Sequence, residues 1–305
     1  MKQHTPVMVS EVLSQISDYI NINPDKKIDI FDGTLGHAWH MLEICDSFGD
    51  SLSHYVWVDI DKYMFEIAKT NLDRYVSTSN IPKEKLIIKN ISYEDITSVS
   101  SELGIKYDII FIDLGVNLWH FKVADRGFSI KDDGELDMRF DTDNDTIKNA
   151  EWVVNNYEKD QLGKIMVERW EFSYKVADKI ASQIISYRHK QPIKTTHQLV
   201  EILSQIGIGT KKSAIVFQTI RIEVNQEMAR VKNLLSQASS VMKKDGILIV
   251  LTYHSVEDRT VKNYFKYENN HDFTVVNKHV IKPSYQEVKQ NLPSRSAKMR
   301  VYRKL

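Results

Sequence analysis

Short apolar runs alternate with amphipathic segments in the first third of the chain. Most of these runs are nearly continuous and end in an acid, which is typical of parallel strands buried on both faces. The intervening segments carry apolar residues three and four positions apart, the spacing of a helix with one buried side. The predicted strands are residues 28–32, 55–59, 86–89 and 108–113. This alternation predicts an α/β fold with a doubly wound, mostly parallel, Rossmann-like sheet and right-handed crossovers.

The pattern changes after residue 116. Residues 117–145 are polar and acidic, and residues 147–206 have helical periodicity with no strand signal. One long helix is predicted from about residue 213 to residue 242. Strand-like segments then return at 246–253, 273–281 and 298–303.

The returning strands predict a discontinuous sheet domain. Residues 1–116 and 211–305 would form it, and residues 117–210 would be an all-helical insertion. Loops at the carboxyl edge of such a sheet tolerate insertions, so the helices are expected to act as a substrate-recognition domain.

Composition limits the partners of this protein. Lys plus Arg and Asp plus Glu both number 41, so no net charge attracts nucleic acid or a membrane to the whole chain. A local basic cluster occupies the last eleven residues, namely Arg295, Lys298, Arg300, Arg303 and Lys304. The one cysteine, Cys45, excludes an internal disulfide, and no metal-ligand spacing is present. The absence of a signal sequence and of any run long enough for a membrane span predicts a cytoplasmic protein.

Acids and glycines follow the predicted strands. Gly33 and Gly36 lie in a turn after the first strand, where the missing Cβ permits close approach of a ligand. Asp59 follows the second strand, at the position where an acid binds ribose hydroxyls. Asp113 ends the fourth strand and could accept a hydrogen bond from an amine. A plain turn and helix-capping acids are the alternative interpretation, and together the three sites favour a nucleoside-containing cofactor.

Two later segments combine ionisable groups at a strand end and in the tail. His254 directly follows the last buried strand and is a candidate assistant in catalysis, with Ser255 or Asp258 as candidate helix caps. Residues 292–300 mix serines with cations, as phosphate-binding segments do. The alternative for this basic tail is a solvated surface, or a brace in which the cations pair with acids such as Asp133 or Glu257.

Aromatic and basic residues also alternate in the predicted insertion. Arg126 and Arg139, with Phe128 and Phe140, could clamp a nucleobase and its phosphates. As an alternative, the two arginines are salt-bridged anchors of a loop.

An ordered series of motifs runs through nearly the whole chain and resembles the MraW/RsmH family of bacterial methyltransferases. The amino-terminal segment from His4 to Glu11 is similar to the family's His-x-Pro-Val motif. The other matching motifs are Asp32-Gly-Thr-Leu-Gly36, Asp113-Leu-Gly-Val116, Arg126-Gly-Phe-Ser129, Leu136-Asp-Met-Arg139, Phe217 to Asn225, His254-Ser-Val-Glu-Asp-Arg259 and Arg295-Ser-Ala-Lys-Met-Arg300.

The resemblance implies an S-adenosylmethionine-dependent enzyme that methylates the exocyclic N4 amine of a decoding-centre cytidine in 16S ribosomal RNA. The RNA would be presented within the assembled 30S subunit, and a homodimer is compatible with the sequence. The implied catalytic residues are Asp113 and His254. The implied cofactor-binding residues are Gly33, Gly36, Ala38, Trp39, His40, Asp59, Ser92, Asp113 and His120, and the implied RNA-binding residues are Arg126, Arg139, Arg259, Arg295, Lys298 and Arg300.

The departures from the family pattern are concentrated around the cofactor. Ala38 and Trp39 stand where the family has two glycines, and residues 117–120 (Asn-Leu-Trp-His) replace Ser-Ser-Pro-Gln. The motifs expected to contact RNA are nearly intact. A second hypothesis is therefore a catalytically impaired paralogue that binds the small subunit as an assembly or interaction factor. A nicotinamide dehydrogenase would share the sheet, but its three-glycine pattern is missing.

Overall fold

The computed structural model describes residues 6–170, 172–269 and 271–305, and for residues 169 and 170 it describes the backbone alone. The helices are α1 Val9–Ile22, α2 Trp39–Phe48, α3 Lys62–Val76, α4 Ile96–Leu103, α5 Ala150–Asn156, α6 Lys159–Trp170, α7 Tyr174–Arg188, α8 Thr196–Gln205, α9 Thr210–Val224, α10 Glu227–Val241, α11 Ser255–Asn263 and α12 Tyr285–Gln290. The strands are β1 Ile28–Asp32, β2 Leu52–Val58, β3 Leu86–Lys89, β4 Tyr107–Asp113, β5 Met242–Thr252, β6 Phe273–Val275 and β7 Lys298–Lys304.

The seven strands form one sheet in the order β3-β2-β1-β4-β5-β7-β6. Strands β1 to β5 pair in parallel, while β7 is antiparallel to both β5 and β6. The predicted doubly wound, mostly parallel α/β fold is therefore confirmed. Strands β2 and β3 are added on one side of β1, whereas β4 and β5 are added on its other side. The order of the strands therefore switches between β1 and β4, and such a switch point opens a crevice at the carboxyl ends of the strands.

Helices cover both faces of this sheet. Successive residues of β4 point to opposite sides, so Ile109 and Phe111 pack in the core with α1, α2 and α3, whereas Ile110 and Ile112 pack with α4 and α10. Burial on both faces is the reason why the strands appear as continuous apolar runs in the sequence.

The chain divides into two compact units. The sheet unit contains Met1–Gly115 and Met228–Leu305, and the helical unit contains Val116–Glu227. The helical unit has its own core, built from α5 to α9. No described residue between 147 and 206 lies in a strand, and Thr195 makes only an isolated bridge with Glu135. Nowhere in the described ranges is there a helix of the length and apolarity needed to cross a membrane.

The single helix predicted from 213 to 242 is wrong, because the chain breaks between α9 and α10. The Asn225 side chain donates to the Met138 carbonyl (2.7 Å) and accepts from the Phe140 amide (2.8 Å). The next residue, Gln226, has a positive φ of 50°, which ends the helical path.

The same break moves the second boundary of the insertion from residue 210 to residue 227. Helix α9 buries Val216, Phe217 and Ile220 in the helical core, whereas α10 buries Leu234 and Leu235 against the sheet. The two helices therefore belong to different units, although the sequence gives both the same periodicity.

Candidate active site

Three aspartates end adjacent strands at the carboxyl edge of the sheet. Asp32 closes β1, Asp59 follows β2 and Asp113 closes β4. Burial raises the pKa of each of these carboxyls to about 7. The charges of Asp113 and Asp59 add to the raised pKa of Asp32, so the three groups act on one another through a poorly solvated crevice. Asp32 is the first residue of the motif Asp32-Gly-Thr-Leu-Gly36, but its place beside Asp113 depends on the pairing of β1 with β4.

The turn after β1 is fixed by backbone hydrogen bonds. The Gly36 amide donates to Asp59 Oδ2 (2.8 Å), and the Leu35 amide donates to the Val58 carbonyl (3.1 Å). Gly36 and Ala38 both have positive φ, 50° and 68°. This conformation is strained for Ala38, which stands where the related motif has glycine.

Gly33 is needed for packing within the protein. A Cβ at this position would overlap Ile112 Cδ1 and would lie 2.7 Å from Tyr93 Cβ. Its amide also donates to the Phe111 carbonyl (3.0 Å), which ties the turn to β4. The close approach that this glycine permits is therefore to neighbouring side chains, and its predicted contact with a cofactor stays a prediction.

Trp39 and His40 begin α2. The Trp39 indole Nε1 is buried and has no hydrogen-bond partner among the residues that the structure describes. His40 Nε2 lies 2.8 Å from the Val7 carbonyl, and its Nδ1 lies 3.6 Å from Asp113 Oδ2. Burial lowers the pKa of His40, so the ring is neutral at pH 7. His4, the first residue of the amino-terminal motif, lies outside the described residues.

Asp59 and Asp61, two positions apart after β2, differ in their contacts. Asp59 accepts hydrogen bonds from the amides of Gly36 (2.8 Å) and Asp61 (2.9 Å). Asp61 caps α3 and accepts from the amides of Tyr63 and Met64. Ser92 caps the short turn after β3 and is buried at the same edge of the sheet. Asp59, rather than Asp61, is therefore the acid at the predicted ribose position.

Asp113 has a partner that the sequence did not reveal. The Tyr253 hydroxyl donates to Asp113 Oδ1 at 2.7 Å, and the Asp113 amide donates to Thr34 Oγ1 at 2.7 Å. Tyr253 directly follows β5, the parallel neighbour of β4. In the sequence, the position of Tyr253 at a strand end, immediately before His254, was the only indication that it could belong to the site.

His254 is used as a helix cap. Its Nδ1 accepts from the Glu257 amide (3.3 Å), and its Nε2 lies 2.9 Å from Glu257 Oε1. The Glu257 carboxylate in turn accepts from the His254 amide, which completes a capping box at the start of α11. The predicted caps Ser255 and Asp258 are wrong, because helix α11 begins at Ser255. A catalytic role of His254 stays a prediction.

The helical unit holds three of the predicted site residues. His120 is buried among aromatic rings, 4.9 Å from the Phe128 centroid and 5.7 Å from that of Phe140. Arg139 makes a bidentate pair with Asp137 (2.9 and 2.8 Å), and Arg126 donates to the Arg139 carbonyl (2.8 Å). These are the contacts of loop anchors. The roles of His120 toward the cofactor and of both arginines toward RNA remain predictions.

The basic tail is partly neutralised. Lys298 and Arg300 on β7 both bind Asp258, at 2.9 and 2.7 Å. The observed partner, Asp258, is not Asp133 or Glu257, the two acids that the sequence suggested for such a brace. Arg295 and Arg259 are exposed. Among the predicted RNA contacts in this region, the two exposed arginines are therefore the better candidates.

The carboxyl edge favours a cationic ligand. Asp32, Asp59 and Asp113 end neighbouring strands at this edge, and burial lowers the pKa of the nearby His40, so this ring adds no positive charge at pH 7. Among the described residues, no group of three or more His, Cys, Asp or Glu side chains is arranged to hold a metal ion. An organic cation that also carries hydroxyls would match these acids in charge and in hydrogen bonding.

Comparison with known proteins gives one consistent result. The model of the MraW methylase family matches residues 1–305. The chain is similar to ribosomal RNA small subunit methyltransferase H of Brachyspira hyodysenteriae, with 36% identity over 99% of this chain and 97% of the relative. It is 34% identical to the protein of that name from Borreliella burgdorferi, over 99% and 98%.

Among solved structures, an rRNA methylase from Streptococcus thermophilus superimposes with a TM-score of 0.45 and 8% identity, covering 96% of both chains. The family match over the whole chain, together with relatives above 30% identity over nearly their full length, confirms the resemblance seen in the motifs. This chain belongs to the MraW methylase family.

Proposed function

We propose that this protein is an S-adenosylmethionine-dependent methyltransferase of small-subunit ribosomal RNA. Its acceptor is the exocyclic N4 amine of a cytidine in 16S RNA, presented within the 30S subunit in the cytoplasm. The family and the names of the relatives support the reaction class. The observation that carries the proposal is the set of three buried carboxyls at the switch point of the sheet.

The residues present fit the cofactor. S-adenosylmethionine is a sulfonium that also carries an ammonium group and two ribose hydroxyls, so it offers the charge and the donors that the acidic crevice lacks. Asp59 would accept the ribose hydroxyls, and the turn from Gly36 to His40 would hold the methionine end. The buried indole N–H of Trp39 has no partner within the described part of the chain, and a ligand acceptor would satisfy it.

Asp113 acts on the acceptor. When bound, the cofactor supplies a methyl group that is already activated, so positioning dominates the contribution of the protein. An ionised Asp113 accepts a hydrogen bond from the cytidine N4 amine and directs its lone pair. The amine loses its proton after the transfer, so no general base is required before it. His254 supports this region mainly by capping α11.

Isothermal titration calorimetry with S-adenosylmethionine is the first test. We expect saturable binding at micromolar to millimolar ligand. Transfer of a labelled methyl group to 30S subunits that lack the modification should then yield N4-methylcytidine in digested 16S RNA. Asp113→Asn should lower the transfer rate by about 10²-fold or more, because the acceptor amine loses its positioning group.

The result that contradicts this function is equally specific. No heat and no competition at millimolar S-adenosylmethionine, with retained binding to 30S subunits, would support a non-catalytic subunit-binding protein. Methylation of another base, or of another atom of cytidine, would retain the enzyme class and reject the N4 assignment.

A further inference from the structure

We propose that Tyr253 is a positioning residue for methyl transfer, which acts by fixing the Asp113 carboxylate and favouring its ionised form. The inference rests on the proposed function, because Asp113 is the group that faces the acceptor amine. Tyr253 directly follows β5, the strand next to that acid, and among the described residues its hydroxyl is the side-chain donor to Asp113 Oδ1.

The hydrogen bond between the two residues is short and partly buried. Tyr253 Oη lies 2.7 Å from Asp113 Oδ1, a distance typical of a hydroxyl bound to a carboxylate. The Asp113 amide is held by Thr34 Oγ1 at 2.7 Å, so the backbone of the acid is fixed as well. With one oxygen taken by the phenol, Oδ2 is the oxygen left to accept a hydrogen bond from a substrate.

Tyr253 itself is held in place from two sides. Its amide donates to Glu257 Oε2 at 2.7 Å, so the capping box of α11 fixes its backbone. On the other side, a Cβ at Gly115 would lie 3.3 Å from Tyr253 Cδ2, and Gly115 has a φ of 103°. A glycine at this position therefore leaves room for the ring beside Asp113.

The hydrogen bond from the Tyr253 phenol opposes the other influences on the pKa of Asp113. Burial raises the pKa of Asp113, the charge of Glu257 on α11 raises it further, and the hydrogen bond from Tyr253 lowers it. On the other elements, Asp32 of β1 is a second acid, and His40 of α2 is neutral because burial lowers its pKa.

The phenol remains a donor throughout the working range of pH. Burial and the charges of Asp113, Glu257 and Glu287 keep the pKa of Tyr253 well above its usual value. Of the groups facing Asp113, Tyr253 is therefore the one whose contact favours the carboxylate over the carboxylic acid. Without this hydrogen bond, a larger fraction of Asp113 would be protonated at neutral pH, and the protonated carboxyl is a poorer acceptor for the amine.

Tyr253→Phe tests the proposal. The acid limb of the pH profile of kcat/KM should move to higher pH by about one to two units, because a hydrogen bond to a charged group has about that effect on a pKa. At the alkaline plateau the rate should return to within about threefold of wild type. Affinity for S-adenosylhomocysteine, measured by calorimetry, should change by less than about twofold.

A matched control is available elsewhere in the sheet unit. Tyr75 also donates to an aspartate, Asp46, at 2.7 Å, but this pair is exposed and lies on α3 and α2. Tyr75→Phe should leave the acid limb in place. An unchanged acid limb in Tyr253→Phe, or an equal loss of rate at every pH, would overturn the positioning role.

A direct titration separates this inference from the proposed function. Carbon-13 NMR of labelled aspartate carboxyls, with Asp113→Asn identifying the resonance, should show a higher pKa of Asp113 in Tyr253→Phe. This measurement requires no methyl transfer. Inactive wild-type protein would contradict the proposed function, whereas an unshifted Asp113 titration would contradict the role of Tyr253.

Discussion

Neighbouring acids at the end of β2 illustrate how residues of one type acquire different functions. Asp59 accepts amides of the glycine turn and of its own loop, and burial raises its pKa to about 7. Asp61 is the helix cap, with both of its amide contacts inside α3. The sequence places the two acids together, and only their hydrogen-bond partners distinguish the acid that holds the glycine turn from the acid that caps α3.

Asp59→Asn is expected to weaken S-adenosylmethionine binding by tenfold or more, since charged hydrogen bonds to ribose contribute about 1.5 kcal/mol or more each. The matched variant Asp61→Ala should lose about 1 kcal/mol of stability through the missing cap and keep the cofactor affinity. Calorimetry and thermal unfolding measure both effects. Equal losses of affinity in the two variants would show that Asp59 only shapes the loop.

Sequence patterns predicted where the candidate residues lie better than what they contact. The positions of Asp59, Asp113 and His254 at strand ends followed from apolar runs that end in polar residues. The contact of Tyr253 with Asp113 did not, because it depends on β5 lying beside β4, with more than a hundred residues between those strands. Packing of the Gly33 turn against Ile112 and Tyr93 was equally outside the reach of local pattern.

At the level of elements, the basic tail is tied to the helix that follows β5. Asp258, in the first turn of α11, accepts from Lys298 and Arg300 of the antiparallel strand β7. These two contacts hold the pKa of Asp258 below its usual value despite the opposing effect of its burial. Lys298 and Arg300 therefore join the last strand to α11. Arg295, in contrast, forms no salt bridge with another described residue.

Arg300→Ala and Arg295→Ala should separate the brace from the RNA contact. Arg300→Ala should lower the melting temperature, because Asp258 loses one of its two partners. Arg295→Ala should leave that temperature unchanged and reduce the salt dependence of 30S or RNA binding by about one phosphate contact. Melting curves and binding isotherms at several salt concentrations check the two effects. The assignment fails if Arg300→Ala alone changes the salt dependence.

Element prediction failed where a side chain overrode periodicity. Residues 213–242 carry one helical pattern, yet Asn225 binds the backbone of the 138–140 loop and ends α9. Arg221 and Glu227, a buried bidentate pair (2.7 and 2.9 Å), span the break. Such contacts between distant segments leave no trace in the spacing of apolar residues.

For the whole molecule, the three carboxyls of the crevice predict an unusual pH dependence. Asp32, Asp59 and Asp113 have folded pKa values of about 7, well above those of an unfolded chain. The folded state thus binds more protons between about pH 4 and pH 7. The stability that these groups contribute is fully present below the unfolded pKa and is lost as the pH rises through 7.

The melting temperature of the ligand-free protein should therefore fall from pH 5 to pH 8 and level off above that. Acids whose pKa is lowered, such as Asp108 and Asp258, lose their contribution only below about pH 4, outside this window. Asp113→Asn removes one of the three groups and should flatten the slope. A melting temperature that rises or stays constant from pH 5 to pH 8 would contradict the raised pKa values.

The sequence by itself determined the class of the fold, the interruption of the sheet by helices and the family. These properties follow from local periodicity and from motifs that keep their order along the chain. The tertiary structure decided which acids share the crevice, that Tyr253 donates to Asp113, and that Lys298 and Arg300 bind Asp258. The reason is physical: burial and hydrogen bonding set the charge and direction of a side chain, and both depend on strands that are neighbours in the sheet but distant in sequence.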